Sequence, residues 1–427
     1  MNVELQYGET GLLVEGLPEE RTTVIEPSHP PGAPDEYGAV TQAMRQPVCG
    51  APLKELVRRG QTIAISVCDG TRPQPRDIVV PAILDELDGL ARLEDVVVLV
   101  ATGTHRGNTE TELRRMLGDD VVDAVRVVNH DSRDASRLTW VGEVGADVPV
   151  WLNSEWLTAD VRITTGFVEP HFFAGFSGGP KMVAPGLAGL ETIVTLHDAR
   201  RIGHPNARWG VVEGNPVHED IRAIAARTGV DFALDVVLDG NKRVARAFGG
   251  ELFAMHRAAT ATAAQAAMRA LPRRFEVVLT TNAGYPLDQN LYQAVKGMSA
   301  AAQIVEPGGT IICAAECRDG FPDHGDYRHQ LTSASSPAAL LDQIERRTFA
   351  IPDQWEIQIQ ARIQSTARVV MHTSYLSDND LAEAHLEQTR DIADTVSKAL
   401  ADAGPHSALC VLPWGPLTIP YVDQPTA

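Results

Sequence analysis

Residues 61–76 read QTIAISVCDGTRPQPR. The first eight form a short apolar run, Gln61–Cys68, and the next eight break it with a glycine and two prolines. Helical periodicity follows over 77–93, and then the pattern repeats. An apolar run at Asp95–Ala101 (DVVVLVA) precedes a helical segment at 108–117, a further apolar run at 124–129 and a strand at 162–167. Val/Ile/Leu runs of this length, separated by helices, are what parallel strands covered on both faces look like. The fold class is therefore α/β, with mostly parallel sheets.

A second alternation begins after an Ala-rich helical stretch, 252–271, which stops at Pro272-Arg273-Arg274. Strands are predicted at Phe275–Thr281, Gly309–Ala315 and 367–372, with helices at 290–305 and 337–346 and one long amphipathic helix over 378–403. These breaks divide the chain into an N-terminal domain, 1–272, a C-terminal α/β domain, 273–407, and an apolar end, 408–427, expected to return to the N-terminal domain. Residues 318–335 read as a long loop, and loops of that length in compact domains are commonly functional or mobile.

Across its 427 residues the chain has 44% hydrophobic and 22% charged positions, a size that buries a core without staples. The balance of 37 basic against 56 acidic residues gives a net charge of −19, a field that repels nucleic-acid backbones and anionic membranes. Five cysteines with no C-x-x-C pair point away from a disulfide scaffold and toward a reducing cytoplasm. The first twenty residues lack a basic segment followed by an apolar one, and no apolar run approaches the 18–20 residues, roughly, of a bilayer span. The expectation is a soluble cytoplasmic protein with no nucleic-acid or membrane partner.

In open α/β sheets the chemistry gathers at the carboxyl ends of strands. Three segments occupy such positions: Asp69–Pro73 (DGTRP), Ala101–Arg106 (ATGTHR) and Gly166–His171 (GFVEPH), the last running on into FFAGFSGGPKMVAPGLAG at 172–189. GFSGGPK at 175–181 is not a nucleotide-triphosphate loop, because Met182 stands where a Mg²⁺-binding Ser or Thr belongs. Lys181 is either a nucleophilic attachment point or a solvated surface lysine. His105, His171 and His197 have the richest surroundings of the thirteen histidines, whereas His130, His204, His218 and His256 read as polar or surface-like and receive no role. No zinc-type spacing occurs, so a metal bound near His197 needs ligands from something other than side chains. In the second half, Tyr292, Gln293 and Lys296 share one side of a helix start, and Trp355 is either an aromatic beside the site or part of the core.

Taken together, DGTRP at 69–73, ATGTHR at 101–106, PHFFAGFSGGPKMVAPG at 170–186, His197 and Tyr292-Gln293 with Lys296 resemble the nickel-dependent lactate racemase family. The resemblance implies two α/β domains, 1–272 holding the cofactor and the catalytic groups, with the active site in the cleft between them. It implies a nickel-pincer nucleotide, a pyridinium bisthiocarboxylate mononucleotide, joined covalently to Lys181, with His197 as the protein's nickel ligand and Asp69 at the ribose. It implies a racemase or epimerase of a 2-hydroxy acid. By the same resemblance, hydride would leave the α-carbon reversibly through a 2-oxo acid, and His105 and His171 would act as acid and base on opposite faces. Arg72, Tyr292, Gln293, Lys296 and Trp355 are the implied substrate-binding residues. The implied partners are a small anionic 2-hydroxy acid and the proteins that build the cofactor and insert nickel.

Cys68 departs from the family pattern, which has serine before the aspartate, and the 318–335 loop has no family counterpart. Two other readings compete. A nicotinamide-type oxidoreductase would need a G-x-G-x-x-G after an early strand, of which Gly103 and Gly107 are a fragment. A non-catalytic cofactor carrier would have no use for both His105 and His171.

Overall fold

The computed structural model describes residues 1–145, 147–322 and 325–422 and divides into two compact units. The first unit comprises His29–His197 and His204–Ala266, and the second comprises Met1–Ser28, Asp198–Gly203 and the chain from Ala267.

The first unit is built on a six-stranded sheet with the order Val244–Gly250, Phe232–Leu238, Val161–Phe167, Ile63–Cys68, Val96–Ala101 and Arg126–Asn129. All neighbours are parallel except the antiparallel edge pair formed by Val244–Gly250 and Phe232–Leu238. Every residue of Ile63–Cys68 is buried, as expected of a central strand covered on both faces. Successive strands run outward from it in one direction to Arg126–Asn129 and then in the other direction from Val161–Phe167. The strand order therefore reverses between Ile63–Cys68 and Val161–Phe167, and the carboxyl edge there is where such sheets bind ligands. The helices carry local stop and start signals: Thr109 and Glu112 form a capping box on Glu110–Leu117, and Asn215 caps Pro216–Thr228 with proline in the first turn.

The second unit holds another six-stranded sheet, all parallel, ordered Glu387–Gln388, Arg368–His372, Val305–Ala314, Phe275–Thr281, Leu409–Leu412 and Thr22–Val24. This differs from the expected division. Leu409–Leu412 pairs with Phe275–Thr281, and Ile419–Val422 pairs with Met268–Leu271, so 408–422 belongs to the second unit rather than to the N-terminal domain. Residues 423–427 of that segment lie outside the described residues. Thr22–Val24 completes the same sheet, which takes residues 1–28 out of the expected N-terminal domain. The reason is physical: LCVL is a fully buried run, and an interior slot in a parallel sheet covers both its faces.

Two predicted helices are shorter than expected. The stretch 252–271 is helical over Leu252–Ala267 and then becomes the strand Met268–Leu271. The 378–403 segment is two helices, Asp378–Glu383 and Ile392–Ala403, interrupted where His385 takes φ 57° before the short strand Glu387–Gln388. The 318–335 loop contains the helix Tyr327–Leu331, with residues 323 and 324 outside the described set. Among the described residues no helix is long and apolar enough to cross a membrane.

Candidate active site

Asp69 is the first residue beyond Ile63–Cys68, and its carboxylate is fully engaged. Oδ1 accepts from the Thr71 amide at 2.7 Å and the Thr71 hydroxyl at 2.5 Å, while Oδ2 faces His105 Nδ1 at 2.8 Å. Burial pushes the Asp69 carboxyl up, but the His105 bond and charge, with Arg72 and Thr71, outweigh it and hold it well below the usual carboxylate range. An ionised Asp69 requires a hydrogen on His105 Nδ1, so the lone pair of that ring is on Nε2. The turn is braced from below by the buried Arg76, whose Nη1 donates to the carbonyls of Asp69 and Arg72, both at 3.1 Å. Gln74 locks the other side, accepting from the Cys68 amide at 2.8 Å and donating to Thr165 Oγ1 at 2.8 Å. Arg72 itself is half-buried at this edge.

Cys68, the departure noted in the sequence, packs its thiol 3.6 Å from Met182 Sδ, and burial pushes its pKa up to about 12. It stays a neutral thiol inside the core. The loop from Thr102 to His105 meets the next motif through the backbone, the Gly103 amide donating to the Gly186 carbonyl at 3.1 Å.

The third motif folds as a tight hairpin in which Pro170–His171 pairs with Gly175–Phe176. Gly175 has φ 79°, and a Cβ there would lie 2.3 Å from the Val211 carbonyl, so only glycine fits. The backbone amides of Ala174 and Phe173 face His171 Nδ1 at 3.3 and 3.5 Å, which directs the lone pair of this ring to Nδ1 and its hydrogen to Nε2. His105 and His171 thus stand in opposite tautomers.

Phe173 is the hub that the sequence reading left without a role. Its buried ring meets His171 edge-on at 4.5 Å and His197 edge-on at 5.1 Å, and Lys181 Nζ lies 5.6 Å from its centroid. Lys181 occupies a short 3₁₀ turn, Gly179–Met182, entered through Gly178. His197 terminates the helix Leu190–Leu196, with its Nδ1 donating to the Ile193 carbonyl at 2.7 Å. Burial, with the nearby Lys181 cation, lowers the His197 pKa to about 4 against the pull of that carbonyl. The ring is neutral at pH 7, and its lone pair is on Nε2.

The histidines that received no role divide in two. His204 is exposed, as expected, but His130, His218 and His256 are buried rather than surface-like. His130 Nε2 donates to the Ala188 carbonyl at 2.8 Å and stitches the loops together. Asp235, in the apolar run FALDVVL, is fully buried beneath the Lys181 turn. Among the described residues no group of three or more His, Cys, Asp or Glu side chains could hold a metal ion.

The remaining predicted residues form a group of their own in the second unit. Asn290 caps the helix Leu291–Ala302 by accepting from the Gln293 amide. Lys296 Nζ donates to Gln293 Oε1 at 2.6 Å, and Trp355 Nε1 donates to Tyr292 Oη at 3.1 Å. Trp355 is 6% exposed, so it is a core aromatic whose polar edge reaches Tyr292. Beside it Glu356, also unassigned from sequence, is fully buried; burial raises its carboxyl pKa and Lys296 pulls it back.

Residues 7–210 match the family described as the lactate racemase N-terminal domain, and 272–419 match the lactate racemase C-terminal domain. A lactate racemase of Thermoanaerobacterium thermosaccharolyticum is 35% identical over 97% of this chain and 98% of its own length. One from Lactiplantibacillus plantarum is 36% identical over 89% and 90%. The solved lactate racemase apoprotein from T. thermosaccharolyticum superposes with a TM-score of 0.92 at 33% identity, covering 99% of this chain and all of that one. A Thermotoga maritima protein at 19% identity and TM-score 0.69, covering 92% of this chain and 99% of its own, shares the fold.

Proposed function

This chain belongs to the lactate racemase family and is a racemase, an isomerase, and on that footing we propose that it interconverts the enantiomers or epimers of a small anionic 2-hydroxy acid by reversible hydride transfer. The observation that carries the reading is the convergence on Phe173 of a lysine amine, a buried neutral imidazole and His171, at the edge where the strand order reverses. Together with the His105–Asp69 pair on the neighbouring strand ends, this is a tether, a metal ligand and two proton-transfer groups.

The donor set fits a nickel-pincer nucleotide. A metal-binding histidine ordinarily donates its other N–H to a carbonyl, which fixes its tautomer, and the bond from His197 to Ile193 does this. His197 alone would give a metal one donor, so a nickel-pincer nucleotide would have to bring the remaining donors itself. Lys181 would hold the nucleotide covalently, His197 would ligate nickel, and Asp69 faces the same edge. Bound there, the group supplies an acceptor and donor for hydride, so that the substrate passes through a planar 2-oxo acid instead of a poorly stabilised carbanion.

The chain's own residues do the rest. Arg72 presents a planar guanidinium that can hold the substrate carboxylate by two parallel bonds. His105 takes the hydroxyl proton at Nε2 and becomes a cation held by ionised Asp69. His171 offers an Nε2–H to the substrate oxygen on the other face, and it acts as a base once its ring has turned from the two amides. Tyr292, Gln293 and Lys296 are proposed as substrate-binding residues of the second unit, and the core aromatic Trp355 would orient Tyr292 through its Nε1–H.

Intact-mass measurement of protein made in a host with the cofactor pathway tests the reading. A covalent adduct on Lys181 is expected, and an unmodified chain despite nickel and the biosynthetic proteins would refute it. Polarimetry over a panel of enantiopure 2-hydroxy acids then identifies the substrate.

A further inference from the structure

Three buried side chains with no part in the proposed chemistry lie beneath the 171–181 segment, and each grips its backbone. Asp235 Oδ2 accepts the Gly179 amide at 2.6 Å. His256, on the helix Leu252–Ala267, donates from Nε2 to the Ser177 carbonyl at 2.9 Å. His218, on Pro216–Thr228, hydrogen-bonds the Ala174 carbonyl, and its ring stacks on His256 at 5.8 Å and 18°.

The fit is tight as well as bonded. A Cβ on Gly178 would lie 2.6 Å from Asp235 Oδ2 and 2.8 Å from the Phe167 carbonyl. One on Gly179 would lie 2.4 Å from His256 Cδ2. These glycines have φ 71° and 51°, so the turn needs them both for the left-handed backbone and for the space the carboxyl and imidazole occupy. Burying a carboxyl and two imidazoles is unfavourable wherever apolar residues would do. Asp235 Oδ1 and His218 Nδ1 have no hydrogen-bond partner among the described residues, so the cluster is not arranged for its own stability. What it does achieve is a defined backbone from Ser177 to Gly179, two residues before Lys181.

We propose that Asp235 and His256 are positioning residues that hold the tether turn, Asp235 through the Gly179 amide and His256 through the Ser177 carbonyl, and so set where the Lys181 amine stands against Phe173. This rests on reading Lys181 as the cofactor attachment point.

Four variants test it. Asp235→Leu and His256→Leu remove the acceptor and the donor, while Asp235→Asn and His256→Gln keep one of each. In apoprotein, trace acylation with acetic anhydride is read by peptide mass spectrometry as labelling of Lys181 relative to the exposed Lys54 and Lys398. In protein co-expressed with the cofactor pathway, intact mass gives the fraction carrying the adduct. Both Leu variants are expected to raise relative Lys181 labelling about 3-fold and to lower the adduct fraction about 10-fold, because a displacement of about 1 Å is enough to disturb such an encounter. The Asn and Gln variants are expected to stay within about 2-fold of wild type on both readouts, the rescue expected of a geometric role. A purely structural role would lower the melting temperature and leave the labelling ratio alone, and that result overturns the proposal. So does an equal loss in the conservative variants. Should Asp235→Leu fail to fold, Asp235→Ser shortens the acceptor and carries the same expected signs. If wild type takes up no adduct, the Lys181 reading fails, and the labelling ratio alone then decides the role of Asp235 and His256.

Discussion

Replacing Asp69 by alanine and by asparagine separates two ways in which this carboxylate could matter. In the structure Oδ1 is committed to the Thr71 amide and hydroxyl, and Oδ2 meets His105 Nδ1 at 2.8 Å. Alanine deletes a charge-assisted hydrogen bond, an interaction of about 1.5–3 kcal/mol when shielded. The His105 side chain is 40% exposed, so screening reduces this to about 1–2 kcal/mol, or a loss of about 5- to 30-fold in kcat. Asparagine is nearly isosteric yet should be worse. Its Oδ1 still accepts from Thr71, which turns Nδ2 toward His105 and makes it a donor. His105 Nδ1 must then accept, its hydrogen moves to Nε2, and the base is lost. The same substitution in serine-protease triads costs about 10⁴-fold by that route, which sets the upper bound. The assay is racemisation by polarimetry, with rates divided by the fraction of chains bearing the Lys181 adduct so that poor loading does not count as poor catalysis. We expect Asp69→Asn to be at least about 10-fold slower than Asp69→Ala. Equal rates, or a faster Asn variant, would refute the tautomer argument and leave Asp69 as a cofactor contact alone.

Other perturbations give equally definite outcomes. Burial pushes the Asp235 carboxyl up to about 7 against the Gly179 amide, so the folded state keeps a proton that the unfolded state loses near pH 4. Its contribution is fully present below that pH and declines as pH rises through 7, so denaturant titration of apoprotein should show wild type losing about 2–3 kcal/mol relative to Asp235→Asn between pH 5 and 8. His197, His218 and His256 have the opposite sign: burial lowers their pKa values to about 4, 3 and 4, so thermal melts of apoprotein should fall as pH drops below about 6.5, and His256→Gln should flatten that slope. His197→Ala should keep the Lys181 adduct by intact mass yet lose nickel by elemental analysis. His105→Ala and His171→Ala should each retain the adduct and lose interconversion, and full activity in both would contradict the two-base scheme.

Much of this was legible in the sequence because it depends on neighbours a few residues apart. Short Val/Ile-rich runs such as QTIAISVC and DVVVLVA, alternating with helical segments, read as interior parallel strands, and glycine, proline and polar residues after them mark loops at their carboxyl ends. What escaped depends on distant partners. The fully buried LCVL run at 409–412 has no periodicity to say which sheet takes it, and Thr22–Val24 is too short to announce a strand. Asp235 in FALDVVL and Glu356 in QWEIQIQ did carry a signal, since a carboxylate among apolar residues asks for an explanation. His256 in an Ala-rich helix gave none.

The sequence by itself determined the residue types, their order along the strands and the glycines that let the 175–186 turn form, because backbone preference and hydrophobic period are local properties. Only the tertiary structure decided that Phe173 would gather His171, His197 and Lys181, and that Asp69 would face His105 across two strand ends. It also decided that a buried carboxyl and imidazole would stand where two glycine Cβ atoms are missing. Those arrangements follow from the order in which six strands pack into one sheet, which burial and backbone pairing select over the whole chain and no short window contains.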